Sequence, residues 1–236
     1  MQQDGLESAV LEAVTAMRAD YRLGEAMVGR VGNVGALLAL LRQLEGDDTW
    51  LRRVARHSYR HALGFDKLVI IPAWPAGQLR MHVWWPSEPR VVEHVHNHRF
   101  SFASVVVTGR LRNNIYTVGD RGLVVDKYRR YAEDAAIVAQ QWQFSDQGSE
   151  RVGLSASVEM PPGATYSMYA GTLHRIEISD SLTVTLFVES PALEESSAVL
   201  VGPTSPQPST TRQIRFSEAA LRDRLDRLIG ELGTFV

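Results

Sequence analysis

Over the first sixty residues apolar side chains recur at three- and four-residue steps, the period of an amphipathic helix. Leu6, Val10, Leu11, Val14 and Met17 fall on one side of a helix predicted from Leu6 to about Glu25, closed by Gly24 and Gly29. Val34 to Leu44 reads as a second helix, apolar nearly all round, and Asp48 to Arg60 as a third with an aspartate start signal. From Lys67 onward the pattern changes to short strand-like runs: Lys67 to Ile71, Leu79 to Trp85, Val91 to His98, Ala103 to Val107 and Leu111 to Val118. Further strands are predicted at Leu123 to Tyr131, Ala135 to Trp142, Leu154 to Met160, Ala164 to Tyr169, Leu173 to Ile178 and Leu182 to Glu189. With no helices between them to enforce a parallel sheet, about ten short strands imply a closed or sandwiched antiparallel sheet, a small β-barrel. Ser190 to Arg212, rich in Ser, Thr and Pro, reads as a surface excursion. Ser217 then caps a last helix through Leu232. The organisation is a helical segment over 1–66, a barrel over 67–191, and a loop with a helix over 192–236.

Composition narrows the chemistry. The chain of 236 residues has no cysteine, so disulfides, thiolate nucleophiles, iron–sulfur clusters and cysteine-built zinc sites are excluded, and a metal must be held by His, Asp or Glu. A balance of 25 basic against 27 acidic residues gives no footprint for nucleic acid. The longest apolar stretches, Val34 to Leu41 and Leu68 to Trp74, are too short to span a bilayer, and the start lacks a signal pattern. A cytoplasmic protein acting on a small molecule, without nucleic acid or membrane, is the expectation.

Three of the seven histidines alternate in Glu93-His94-Val95-His96-Asn97-His98. Residues two apart on a strand share a face, so His94, His96 and His98 point to one side, and a barrel interior there makes a metal the natural occupant. A row of solvent-facing histidines on an edge strand is the plainer reading. It loses ground because three buried imidazoles without a shared partner are costly to desolvate.

The spacing after His98 carries a resemblance. His96-Asn97-His98, three residues, Phe102, six residues and Gly109 have the register of the first cupin motif. Gly163, five residues, Tyr169, Ala170, Gly171, two residues, His174, three residues and Ile178 have the length of the second, with Tyr169 where Pro is usual and Ile178 where Asn is usual. Residues 67 to 191 resemble a cupin, which implies a mainly β, antiparallel jelly-roll barrel. Leu173-His174-Arg175-Ile176-Glu177, Ser190-Pro191, Tyr59-Arg60 and the three N-terminal helices are similar to cysteine dioxygenases within that superfamily.

The resemblance makes His96, His98 and His174 the metal ligands, with His94 the alternative to His98. Phe102 stands where a typical cupin has glutamate, as in the thiol dioxygenases, which hold Fe(II) with three neutral imidazoles. Such a site keeps the full dipositive charge and open positions, and favours an anionic substrate bound beside dioxygen. The family's Ser-His-Tyr relay falls at Thr185, Phe187 and Glu189, so its His and Tyr are missing and Glu189 becomes the candidate acid/base group. Arg60 is the candidate carboxylate clamp, and Tyr166 and Tyr169 the candidate hydrogen-bond donors to ligand; each has a plain structural alternative. His82 shares a face with Arg80 and Trp84 and lines the expected pocket with Phe102. Trp74, Trp84, Trp85 and Trp142 are assigned to packing, and His57 and His61 to a surface pair on a helix.

The reading that follows is a mononuclear iron(II) dioxygenase for a small thiol, amino acid or related acid. Three imidazoles also suit zinc and hydrolytic, lyase or isomerase work, and a non-catalytic small-molecule binder shares the scaffold. Cupins are often dimers, and the near-apolar second helix is the candidate surface for a homodimer.

Overall fold

Short side-chain caps set the helices. Asn33 Oδ1 accepts the Ala36 N–H at 2.8 Å, Asp47 Oδ1 accepts those of Thr49 and Trp50, and Ser217 Oγ accepts that of Ala220. In the computed structural model, which describes residues 3–73, 76–89, 91–132, 141–208, 211–212 and 214–236, they begin three of five α-helices. The helices are α1 (Gln3–Ala16), α2 (Gly24–Val31), α3 (Val34–Glu45), α4 (Asp48–His57) and α5 (Glu218–Gly233).

The strands are β1 (Tyr59–His61), β2 (Phe65–Ala73), β3 (Gly77–Trp84), β4 (Val95–His96), β5 (Phe102–Thr108), β6 (Leu111–Ala132) and β7 (Gln141–Met160). They continue with β8 (Thr165–Met168), β9 (Leu173–Ile178), β10 (Thr183–Glu189), β11 (Ser197–Val201), β12 (Thr211–Arg212) and β13 (Ile214–Arg215). One sheet runs β13-β1-β2-β3-β10-β5-β8 and the other β11-β4-β9-β6-β7-β12, with β11 also on β6; every pairing is antiparallel. The fold is the mainly β jelly-roll barrel with helices at both ends of the chain that the cupin spacing implied.

Period-two alternation divides the first sheet into a dry side and a cavity side. Leu79, Met81 and Val83 of β3 and Val184, Leu186 and Val188 of β10 are fully buried in a core shared with Leu37, Leu41 and Leu44 of α3 and Leu221, Leu225 and Leu228 of α5. Each such side chain contributes roughly 1.5–3 kcal/mol by leaving water. Arg80, His82 and Trp84, with Thr185, Phe187 and Glu189, take the opposite side and line the cavity between the sheets. Helices from both termini thus share the core on one side and leave the other free for chemistry.

Several boundaries differ from the sequence reading. The first predicted helix is two: α1 stops at Ala16, Asp20 caps a short 3-10 turn at Tyr21–Leu23 by accepting the Arg22 N–H, and Gly24 opens α2. Gly24 is there for close approach, since a Cβ would come within 3.0 Å of the Ala103 Cβ. Of Val91 to His98 only Val95 and His96 are strand. The two runs at Leu111 and Leu123 are one strand, β6, in which residues 119–122 bulge out opposite Val152 with Gly122 at φ 114°. Ser190 to Arg212 is more than an excursion, since β11 inside it joins the second sheet. The apolar side of α3 is buried within the chain. Trp74 and positions 135–140 of the strand predicted before Trp142 lie outside the described residues. No single helix among the described residues is long and apolar enough to cross a membrane.

Candidate metal centre

β4 is only two residues long, so what holds the His-Asn-His segment is its neighbours. Asn97, between the two histidines, donates its N–H to Ala198 O and accepts the Ala198 N–H at 2.6 Å, fastening the segment to β11. His96 pairs in register with Val199 on one side and His174 of β9 on the other. His98 lies past the strand end, tied by its N–H to Ala170 O. The result brings His96, His98 and His174 together, with one ring nitrogen of each within 4.8 Å of the others. Their ring centroids are 4.9–5.1 Å apart. His98, not His94, completes the set.

Hydrogen bonds on the far side of two rings fix which nitrogen faces inward. His174 Nδ1 donates to Asn113 Oδ1 at 3.2 Å and His96 Nδ1 to the His94 carbonyl at 2.9 Å, so both present Nε2. His98 Nε2 lies 3.0 Å from His174 Nε2. Burial holds the imidazoles far below their ordinary range, His174 at about 4, so all three are neutral ligands at pH 7. Three neutral nitrogen donors in this spacing fit a divalent metal. Phe102 occupies the glutamate position, edge-on to His98 at 5.1 Å and stacked on Phe187 at 4.3 Å, so no carboxylate joins from there.

The triad sits in the wall of a cavity of about 190 Å³. Arg80 and Glu189, on the neighbouring strands β3 and β10, form a buried ion pair of 2.6 Å in one wall of it, the guanidinium 4.0 Å from the Phe187 ring. Lys67, Arg99 and Arg130 add further positive charge, and Glu93 a second acid. Burial pushes the Glu93 carboxyl up to about 7 and brings the Lys67 amine down to about 7. His82 lies in this wall with its imidazole held well down by burial, and burial pushes the Tyr166 hydroxyl up to about 12.

Two expected site residues do not line this cavity, although Arg60 lines a second one that shares His96 with it. The Arg60 guanidinium is ion-paired with buried Asp66, at 3.1 Å, and with Glu88, so its charge is committed to holding β1. Tyr169 is half exposed and its ring packs near Tyr21, outside the cavity. His57 and His61 are split between the end of α4 and β1, where His61 stacks on Phe65, rather than paired on one helix. Trp85 packs as expected, donating its N–H to Asp66, whereas Trp84 and Trp142 line the cavity. The sequence reading missed Lys67, Arg99, Arg130, Glu93 and Asn113. Lys67 carried a signal, as one of only two lysines in the chain, the other being Lys127.

No family profile matches the chain. No curated protein sequence matches it. Solved structures that it resembles include a DMSP lyase (TM-score 0.31, 13% identity, 53% of this chain and 47% of that one) and a variant oxalate decarboxylase from Bacillus subtilis (0.36, 12%, 59% and 28%). Drosophila melanogaster CENP-C bound to CAL1 also matches (0.35, 14%, 60% and 92%). The chain spans less than half the length of the first two. Its function is read from the site.

Proposed function

We propose that the protein is a mononuclear non-haem iron(II) dioxygenase for a small anionic substrate. The observation that carries the reading is the convergence of His96, His98 and His174 with an aromatic ring, Phe102, in the carboxylate position, on the wall of a cation-rich cavity. Iron(II), when bound, supplies open coordination positions for substrate and dioxygen and lowers the pKa of a bound substrate group. The chain's own residues do the rest. Asn113 and the His94 carbonyl aim two Nε2 atoms inward, and Phe100, Phe102 and Phe187 give the site a dry, aromatic side that strengthens every charge interaction in it. Glu189 is held by Arg80 through Oε2, which leaves Oε1 as the atom that exchanges a proton with a ligand in the cavity. His82 and Tyr166 shape the wall.

The all-imidazole donor set equally favours zinc, which the affinity order places above iron for such ligands and which would direct the site to hydrolytic, lyase or isomerase chemistry. The test is elemental analysis of protein purified without oxygen, beside His174→Ala. About one iron per chain, lost in the variant, together with iron-dependent oxygen uptake on small acids and thiols, is the expected result. Zinc with full activity in the absence of oxygen supports the second reading. Metal content unchanged in His174→Ala overturns both.

A further inference from the structure

Four cationic side chains line the cavity, Lys67, Arg80, Arg99 and Arg130, against two acids, Glu93 and Glu189. Glu189 is already taken by Arg80 at 2.6 Å. Glu93 accepts the Ile176 N–H, and burial leaves its carboxyl only partly charged near neutrality. Arg130 donates Nε–H to Ser197 and lies over the Trp142 ring, with no carboxylate in ion-pair range among the described residues. Lys67 and Arg99 likewise have no carboxylate within 4.0 Å among the described residues. Arg80, itself 94% buried, keeps one guanidinium nitrogen, Nε, without a hydrogen-bond partner. Uncompensated cations are costly in an enclosed site, so the cavity is built for a ligand that brings negative charge. One negative group offsets one of Arg99 and Arg130 and leaves the other, with the partly charged Lys67 amine beside it.

We propose that Lys67 and Arg99 form the receptor for one acid group of a small dicarboxylate, held in the cavity beside the three histidines. The proposal rests on the reading of the cavity as the substrate site and names the substrate class. Lys67 is set by register: it pairs with Tyr59 of β1 and His82 of β3, and its Nζ stands 5.3 Å over the Tyr59 ring. The groups that face it are Tyr59 and His61 from β1, Arg80 and His82 from β3, Glu189 from β10, Arg99 beyond β4 and Arg130 from β6. Burial and the guanidiniums discharge the amine, Glu189 opposes them, and the balance leaves it at about 7. An arriving carboxylate reverses that balance, so the amine takes up a proton as the acid binds.

Calorimetry on metal-free protein at pH 7.5, in two buffers of different ionisation enthalpy, tests this with malonate and acetate as probes. Malonate is expected to bind wild type with uptake of roughly half a proton or more per ligand, and acetate at least about tenfold more weakly. Lys67→Arg, which keeps the charge without a titrating amine, is expected to bind malonate with no such uptake. Lys67→Met is expected to lose about tenfold or more in affinity. Malonate binding without proton uptake, equal affinity for the two acids, unaltered binding in Lys67→Met, or no malonate binding at all overturns the proposal. No metal is present in this experiment, so a failure of the iron reading appears in the elemental analysis and not here.

Discussion

The Nε2 atoms of His98 and His174 stand 3.0 Å apart, and the Asn113 side chain on the opposite edge of His174 determines what passes between them. Asn113 accepts the Nδ1 proton, so His174 Nε2 is an acceptor and the shared proton belongs to His98. A metal must displace that proton while His174 stays aimed. Asn113→Leu is therefore expected to weaken metal binding by about 10- to 100-fold, measured by competition with a chelator, with little change in secondary structure. Unchanged affinity would show that packing alone orients His174.

The Arg80–Glu189 pair is buried on both sides. Removing one member strands the other charge, so Glu189→Gln is expected to cost about 3–5 kcal/mol in urea unfolding. Replacing both, Arg80→Met with Glu189→Leu, is expected to recover most of that stability while abolishing ligand binding. If the single and double variants are equally unstable, the pair is a net contributor to the fold rather than a functional feature.

In the metal-free protein, acid stability divides between opposing groups. His174 falls from 6.5 unfolded to about 4 folded, so the folded state binds fewer protons, and its contribution, about 3 kcal/mol, is present above pH 6.5 and lost as pH falls toward 4. His96 and His98 act in the same direction. Glu93 is raised from 4.5 to about 7, so its contribution is present below pH 4.5 and lost as pH rises through 7, offsetting the histidines in that window. Urea midpoints between pH 7 and 4.5 are expected to fall more steeply in Glu93→Gln than in wild type; a shallower slope would contradict the assignment.

Gly109 closes the first cupin-like motif for a physical reason. Its φ is +74°, and a Cβ there would lie 2.2 Å from Thr183 Oγ1 and 2.6 Å from the Leu182 carbonyl. Gly109→Ala is expected to destabilise the barrel by about 1–3 kcal/mol, read from the denaturation midpoint.

Much of the site was legible because strands alternate. The shared face of Arg80, His82 and Trp84, the inward set of Thr185, Phe187 and Glu189, and the convergence of His96, His98 and His174 all follow from period two and the motif spacing. The rest depends on long-range partners that local pattern does not name. Arg60 was read as a clamp, but Asp66 and Glu88 reach it first. Lys67 and Arg130 enter the cavity through pairings with Tyr59 and with β11, and β6 passes three irregularities before it reaches Arg130. Gly24 reads as a helix stop because the sequence does not reveal that Ala103 approaches it from a strand about eighty residues on.

Asn97 is held by Ala198, a hundred residues further along the chain. During synthesis the His-Asn-His segment therefore emerges long before the strand that fastens it, and the donor set cannot assemble until β11 has left the ribosome. A metal that uses all three histidines would therefore meet a site whose His-Asn-His segment β11 has already fastened.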